Sequence, residues 1–131
     1  MKLITRDTDY AVRALCHIAR SKNKIISAYD LVRESKMPQP FLRKILQTLN
    51  REGLLKSFKG KNGGFILAIP AEKIYLVDLI RIFQGPLKLS ECVFKKSYCL
   101  DVNTCMLKQR IGVIEKYIIS QLRSINITSL I

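Results

Sequence analysis

Three of the four cysteines stand close together, in the order Cys92, six residues, Cys99, five residues, Cys105. Thiolates are soft ligands, suited to zinc and iron–sulfur clusters. In a compartment that keeps thiols reduced, such a group argues for metal, cluster or redox chemistry over structural disulfides. Three cysteines in one loop fit an iron–sulfur site short of one protein ligand, a disulfide with a spare thiol, or unrelated packed residues. Zinc sites favour more tightly spaced pairs than either gap here. The intervening Lys95, Lys96, Ser97, Asp101 and Asn103 make a polar loop that could wrap something larger than a single ion. The fourth, Cys16, lies among Ala and Leu at helical spacing and reads as a packed small hydrophobe. Its neighbour His17 is the only histidine and reads as structural. One histidine, with no nucleophile or paired carboxylates beside it, offers no acid–base constellation, so the chain is not read as an enzyme.

Charge points to a partner. There are 23 Lys plus Arg against 10 Asp plus Glu, a formal net charge of +13 in 131 residues. A balance of that size favours a polyanion. Between Lys36 and Lys61 seven basic residues face a single acid, Glu52, so the charge is concentrated in one segment.

That segment has a recognisable plan. A first helix is expected over residues 8–20, with Thr8 as N-cap and Tyr10, Ala11, Ala14, Leu15 and Ile18 on one face. Ile25 and Ile26 suit a short strand, and Ser27 caps a second helix, Ala28 to Lys36. After a tight turn at Met37, prolines open a third helix with Phe41, Leu42, Ile45, Leu46 and Leu49 inward and Gly53 as its stop. Helix, turn, helix is a DNA-binding pattern. The outward side carries Gln39, Arg43, Lys44, Gln47, Thr48, Asn50 and Arg51, types that bind phosphates and read base edges. Two short strands, Leu54 to Phe58 and Phe65 to Ile69, then flank a hairpin whose Gly60, Gly63 and Gly64 permit positive φ angles. Lys56, Lys59, Lys61 and Asn62 sit on or beside this wing, suited to a phosphate backbone or a minor groove.

A fourth helix is expected over residues 74–83, ended by Gly85-Pro86. Beyond the cysteines, Leu107, Ile111, Ile114, Ile118, Leu122 and Ile125 recur at steps of three and four, one apolar stripe along a helix of about 30 Å. That is longer than a winged-helix core needs, so part of it should meet a second subunit. The expected fold is mainly α with a small β-hairpin wing. Residues 1–84 form the winged helix-turn-helix domain, 85–104 the cysteine-bearing loop, and 105–131 the dimerisation helix and tail. No apolar run is long enough for a membrane span, and Arg6, Asp7 and Asp9 interrupt any signal-peptide pattern, so a cytoplasmic protein is expected.

The chain resembles the Rrf2 family of winged-helix regulators, which includes IscR and NsrR. The resemblance rests on MKLIT, TDYAVRAL, FLRKILQTLNREGLLKS, GKNGGFILA, GPLKLSEC, the three spaced cysteines and the final ITSLI. It implies a homodimeric regulator of transcription that binds a double-stranded DNA operator and senses iron–sulfur status, nitric oxide or redox stress. It further implies that Cys92, Cys99 and Cys105 hold an iron–sulfur cluster, 2Fe-2S or 4Fe-4S. IscR-like members take a fourth ligand from a histidine three residues after the last cysteine, but Lys108 stands there. NsrR-like members use an aspartate in the first helix of the other subunit, and Asp9 occupies the matching place. Pro38, Pro40 and Arg43 depart from the IscR-like pattern, so the operator sequence does not carry over. A cluster-free or zinc-containing thiol-switch regulator is the alternative, and a small electron carrier a more distant one.

Overall fold

Thr5 starts the first helix. A computed structural model describes residues 2–89 and 105–131. In it α1 (Arg6–Arg20) has Thr5 as N-cap, in extended conformation and accepting from the Thr8 amide, with Asp7 and Asp9 in the first turn. Acids there favour the positive end of the helix. Thr8, expected as the cap, instead lies inside the helix and is fully buried. Its hydroxyl donates to Gln84 Oε1 at 2.6 Å, a partner 76 positions away that no local pattern announces.

The second helix, α2 (Ala28–Ser35), opens with a reciprocal capping box between Ser27 and Asp30 and closes on Lys36 in the left-handed region. Next comes α3 (Gln39–Arg51), where Pro40 occupies the first turn, whose amides lack intrahelical partners in any case. Gly53, at φ +82°, turns the chain into the hairpin. There β1 (Leu55–Phe58) pairs antiparallel with β2 (Gly64–Leu67), Leu55 opposite Leu67 and Phe58 opposite Gly64. The strand expected at Ile25 and Ile26 is a single bridge: Ile26 exchanges both backbone bonds with Phe65, at 3.0 and 2.8 Å. The wing glycines are used differently from expectation. Only Gly60 has positive φ, and Asn62 supplies the other left-handed residue. Gly64 is needed because a Cβ there would collide with the Ile26 carbonyl.

A 3₁₀ turn, Ala71–Lys73, leads into α4 (Leu76–Gln84), which Gly85 ends at φ +82°. Cys105 then stands at the N-cap position of α5 (Met106–Arg123), with no hydrogen bond from its side chain to the first turn. After α5 the chain returns to its own domain, where Leu76 donates to the Ile125 carbonyl at 2.9 Å and Ile127 to that of Ile74 at 3.0 Å. Ile127 thereby joins Leu15, Ile18, Leu31, Leu42, Leu46, Leu49, Ile74 and Leu79 in one core. Among the described residues no helix is long and apolar enough to cross a membrane.

Candidate nucleic-acid interface

The inward face of α3 fixes its outward one. Leu42, Ile45, Leu46 and Leu49 are buried, and the 3.6-residue period then turns Gln39, Arg43, Lys44, Gln47 and Arg51 to solvent. All five are exposed, as is Asn50. Thr48 is less free, since it is half-buried and its hydroxyl donates to the Lys44 carbonyl at 3.0 Å. Such a back-bond to the preceding turn satisfies the hydroxyl locally.

Lys56, Lys59, Lys61 and Asn62 are exposed along the wing. The Lys56 ammonium lies 5.6 Å from the centroid of the Phe58 ring, a separation within cation–π range. Among the described residues, ion pairs engage the basic side chains of Arg13, His17, Arg33 and Arg81, and none of those on α3 or the wing. The basic groups of α3 and the wing therefore present charge that no ion pair among the described residues offsets.

Of the three spaced cysteines only Cys105 lies among the described residues, Cys92 and Cys99 lying outside them. Cys105 is a free, partly exposed thiol at the start of α5. Asp9 pairs with Arg13 on its own helix at 3.0 Å, both side chains well exposed. An exposed pair of this kind contributes only about 0–1 kcal/mol, so it is readily exchanged for another partner. Three thiolates and one carboxylate form a donor set that iron accepts, the carboxylate being the harder and weaker member.

The two residues read as structural are so. Cys16 is in the core, and burial pushes its thiol up, Arg20 only partly offsetting the effect. His17 donates through Nε2 to Glu34 Oε2 at 2.6 Å, tying α1 to α2. One residue absent from the sequence reading, Gln84, links α4 to the chain start. Its Oε1 accepts from the Thr5 amide at 3.0 Å as well as from Thr8, and its Nε2 donates to the Leu3 carbonyl at 3.1 Å. A glutamine at a helix end carries no signal of that role in the sequence.

Comparison with known proteins agrees with this architecture. The chain is 30% identical over 103 residues to a protein named as an HTH-type transcriptional regulator of Aquifex aeolicus (strain VF5), 77% of this chain and 72% of that one. The fold matches CymR (YrzC), the global cysteine regulator of B. subtilis, with TM-score 0.82 and 20% identity, covering 99% of this chain and 96% of that one. It also matches T. potens IscR, with TM-score 0.75 and 25% identity over 99% and 85% of the two chains. The family model of Rrf2, described as an iron-dependent transcriptional regulator, matches residues 4–131. The chain, a winged helix in fold, thus belongs to the Rrf2 family of transcriptional regulators.

Proposed function

We propose that this protein is a homodimeric regulator that binds duplex DNA through α3 and the wing and senses iron–sulfur status, nitric oxide or redox stress through an iron–sulfur cluster. The observation that carries the DNA reading is the exposed, uncompensated row of Arg43, Lys44, Gln47 and Arg51 beside the lysines of the wing. Arg43 and Gln47 have the donors and acceptors to read base edges. Lys59 and Lys61 bring point charges to the backbone or minor groove. The dimer reading is supported by α5, where Leu107 is 71% and Ile114 49% exposed.

In this reading Cys92, Cys99 and Cys105 supply thiolates to the cluster and Asp9 of a second protomer the fourth, labile ligand. When bound, the cluster supplies a centre that reacts with oxidants and nitric oxide. The chain's own part is to place that centre. Cys105 would hold it at the start of α5, and Asp9 would leave Arg13 to reach it, tying α1 of one protomer to the segment between Cys92 and Cys105 of the other. Loss of that tie would free the two winged helices from the spacing that fits successive major grooves, roughly 34 Å apart.

The test is an absorption spectrum with iron and sulfide assay on anaerobically purified protein, run for wild type, Cys99→Ala and Asp9→Ala. Wild type should be brown, with Cys99→Ala lacking the cluster and Asp9→Ala keeping one that decays faster in air. Colourless wild type containing zinc or no metal would overturn the cluster and leave the thiol-switch regulator. An Asp9→Ala spectrum and air stability equal to wild type would return Asp9 to its role at the helix start.

A further inference from the structure

We propose that Arg6 and Lys44 form a phosphate clamp for the DNA backbone, on the flank of α3 and apart from Arg43 and Gln47, which read bases. Arg6 is the first residue of α1 and exposed, and its guanidinium carbon lies 4.5 Å from the centroid of the Phe41 ring on α3. Stacking on one aromatic face restricts the guanidinium, and a planar fork is the group that matches phosphate oxygens bidentately. Between Arg6 and Lys44 is a recess of 180 Å³, also lined by Asp7, Thr48 and Phe83. At about 30 Å³ per water it has room for several waters or one tetrahedral anion. Asp7 offsets one of the two cations, which leaves one net positive charge at the recess.

Gln84 is the positioning residue. By bonding Leu3, Thr5 and Thr8 together it fixes the chain on both sides of Arg6, so the stacked guanidinium stands on an anchored helix start. Gln84 is also the last residue of α4, immediately before the segment that carries Cys92 and Cys99.

The clamp rests on the DNA-binding reading, and the two fail differently. The probe is a mixed-sequence 30-base-pair duplex, labelled for anisotropy and titrated with the full chain over a series of salt concentrations. Wild type that does not bind even at low salt would overturn the DNA reading itself. Given wild-type binding, Arg6→Ala should bind roughly fivefold to tenfold more weakly at 0.1 M salt, with a log–log salt slope shallower by about 0.9 for each phosphate released. Arg6→Lys should recover the slope, and Arg20→Ala, the same charge lost from the far end of α1, should match wild type. Gln84→Ala should weaken binding, and adding it to Arg6→Ala should cost nothing more, since both act on one contact. Arg6→Ala with wild-type slope, or Arg20→Ala with the same loss as Arg6→Ala, would overturn the clamp.

Discussion

Along α3 the apolar stripe from Leu42 to Leu49 is closed over by α1, α2 and β1, with Phe41, expected inward, left exposed, whereas along α5 only Leu122 is buried. Both helices are written with apolar residues at steps of three and four. Their difference lies in what surrounds them. The α3 stripe meets three elements of its own chain, and its leucines are fully removed from water. Helix α5 meets α4, and Met106, Leu107, Val113, Ile114 and Tyr117 stay exposed over its first twelve residues, about 18 Å of helix. A contiguous apolar face of that kind marks an interaction surface. The buried α3 residues make the domain fold, and the exposed α5 residues are the ones the proposed dimer would use.

The largest effect should come from breaking α5. Ile114→Glu, with a charge in the middle of the exposed face, should convert the proposed dimer to a folded monomer, because the core closes around Leu122 and Ile127 without it. Sedimentation together with far-UV circular dichroism checks this, and a variant that sediments as wild type would remove α5 as the interface.

Next in size, Leu49→Ala in α3 should lower stability by about 2–5 kcal/mol, the range for truncating a fully buried leucine. Leu107→Ala in α5 should cost the isolated chain almost nothing when the two variants are compared by urea titration. Equal losses at the two positions would erase the distinction between the helices.

On the opposite face of α3, Arg43→Ala should cost about 1–3 kcal/mol and relax preference at one base position, while leaving thermal stability alone. Lys61→Ala in the wing should instead weaken all sequences alike. Binding to a selected site and to random duplex decides the point, since equal losses on both for the two variants would mean α3 does not read bases.

The smallest effect concerns the support beneath α3. Ser27→Ala removes the cap of α2 and should cost about 1 kcal/mol. The Ser27 hydroxyl, then its backbone amide, hold the Asp30 carboxyl below the ordinary value. A depressed folded-state pKa gives a contribution that is complete above the unfolded value of about 3.9 and lost as pH falls through the folded one. The gap in melting temperature between wild type and Ser27→Ala should therefore narrow only in that acid range. A gap that stays constant down to pH 2 would separate the cap from Asp30.

Much of the fold was legible because its signals are local. The cap at Ser27, the stripe from Leu42 to Leu49, the glycine at 53 and the two wing strands each depend on residues within one or two turns of each other. The outward set on α3 follows from the inward one by helical period alone, so the exposure of Arg43, Lys44 and Gln47 needed no tertiary information. The charge of +13 and the spacing of the three cysteines were likewise fixed by the chain itself.

Tertiary structure decided what depends on distant partners. Thr8 has the chemistry of a helix cap, and it became a buried hydrogen-bond donor only because Gln84 arrives beside it, so the helix starts three residues earlier at Thr5. Gly64 looked like a turn residue, and its requirement comes from the Ile26 carbonyl pressed against it by a bridge formed across the sheet edge. Arg6 reads as an ordinary surface charge until α1 packs on α3 and sets it over Phe41. Hydrophobic period states which face of a helix is buried but is silent about what buries it, and that is why two similar stripes, in α3 and α5, end in different places.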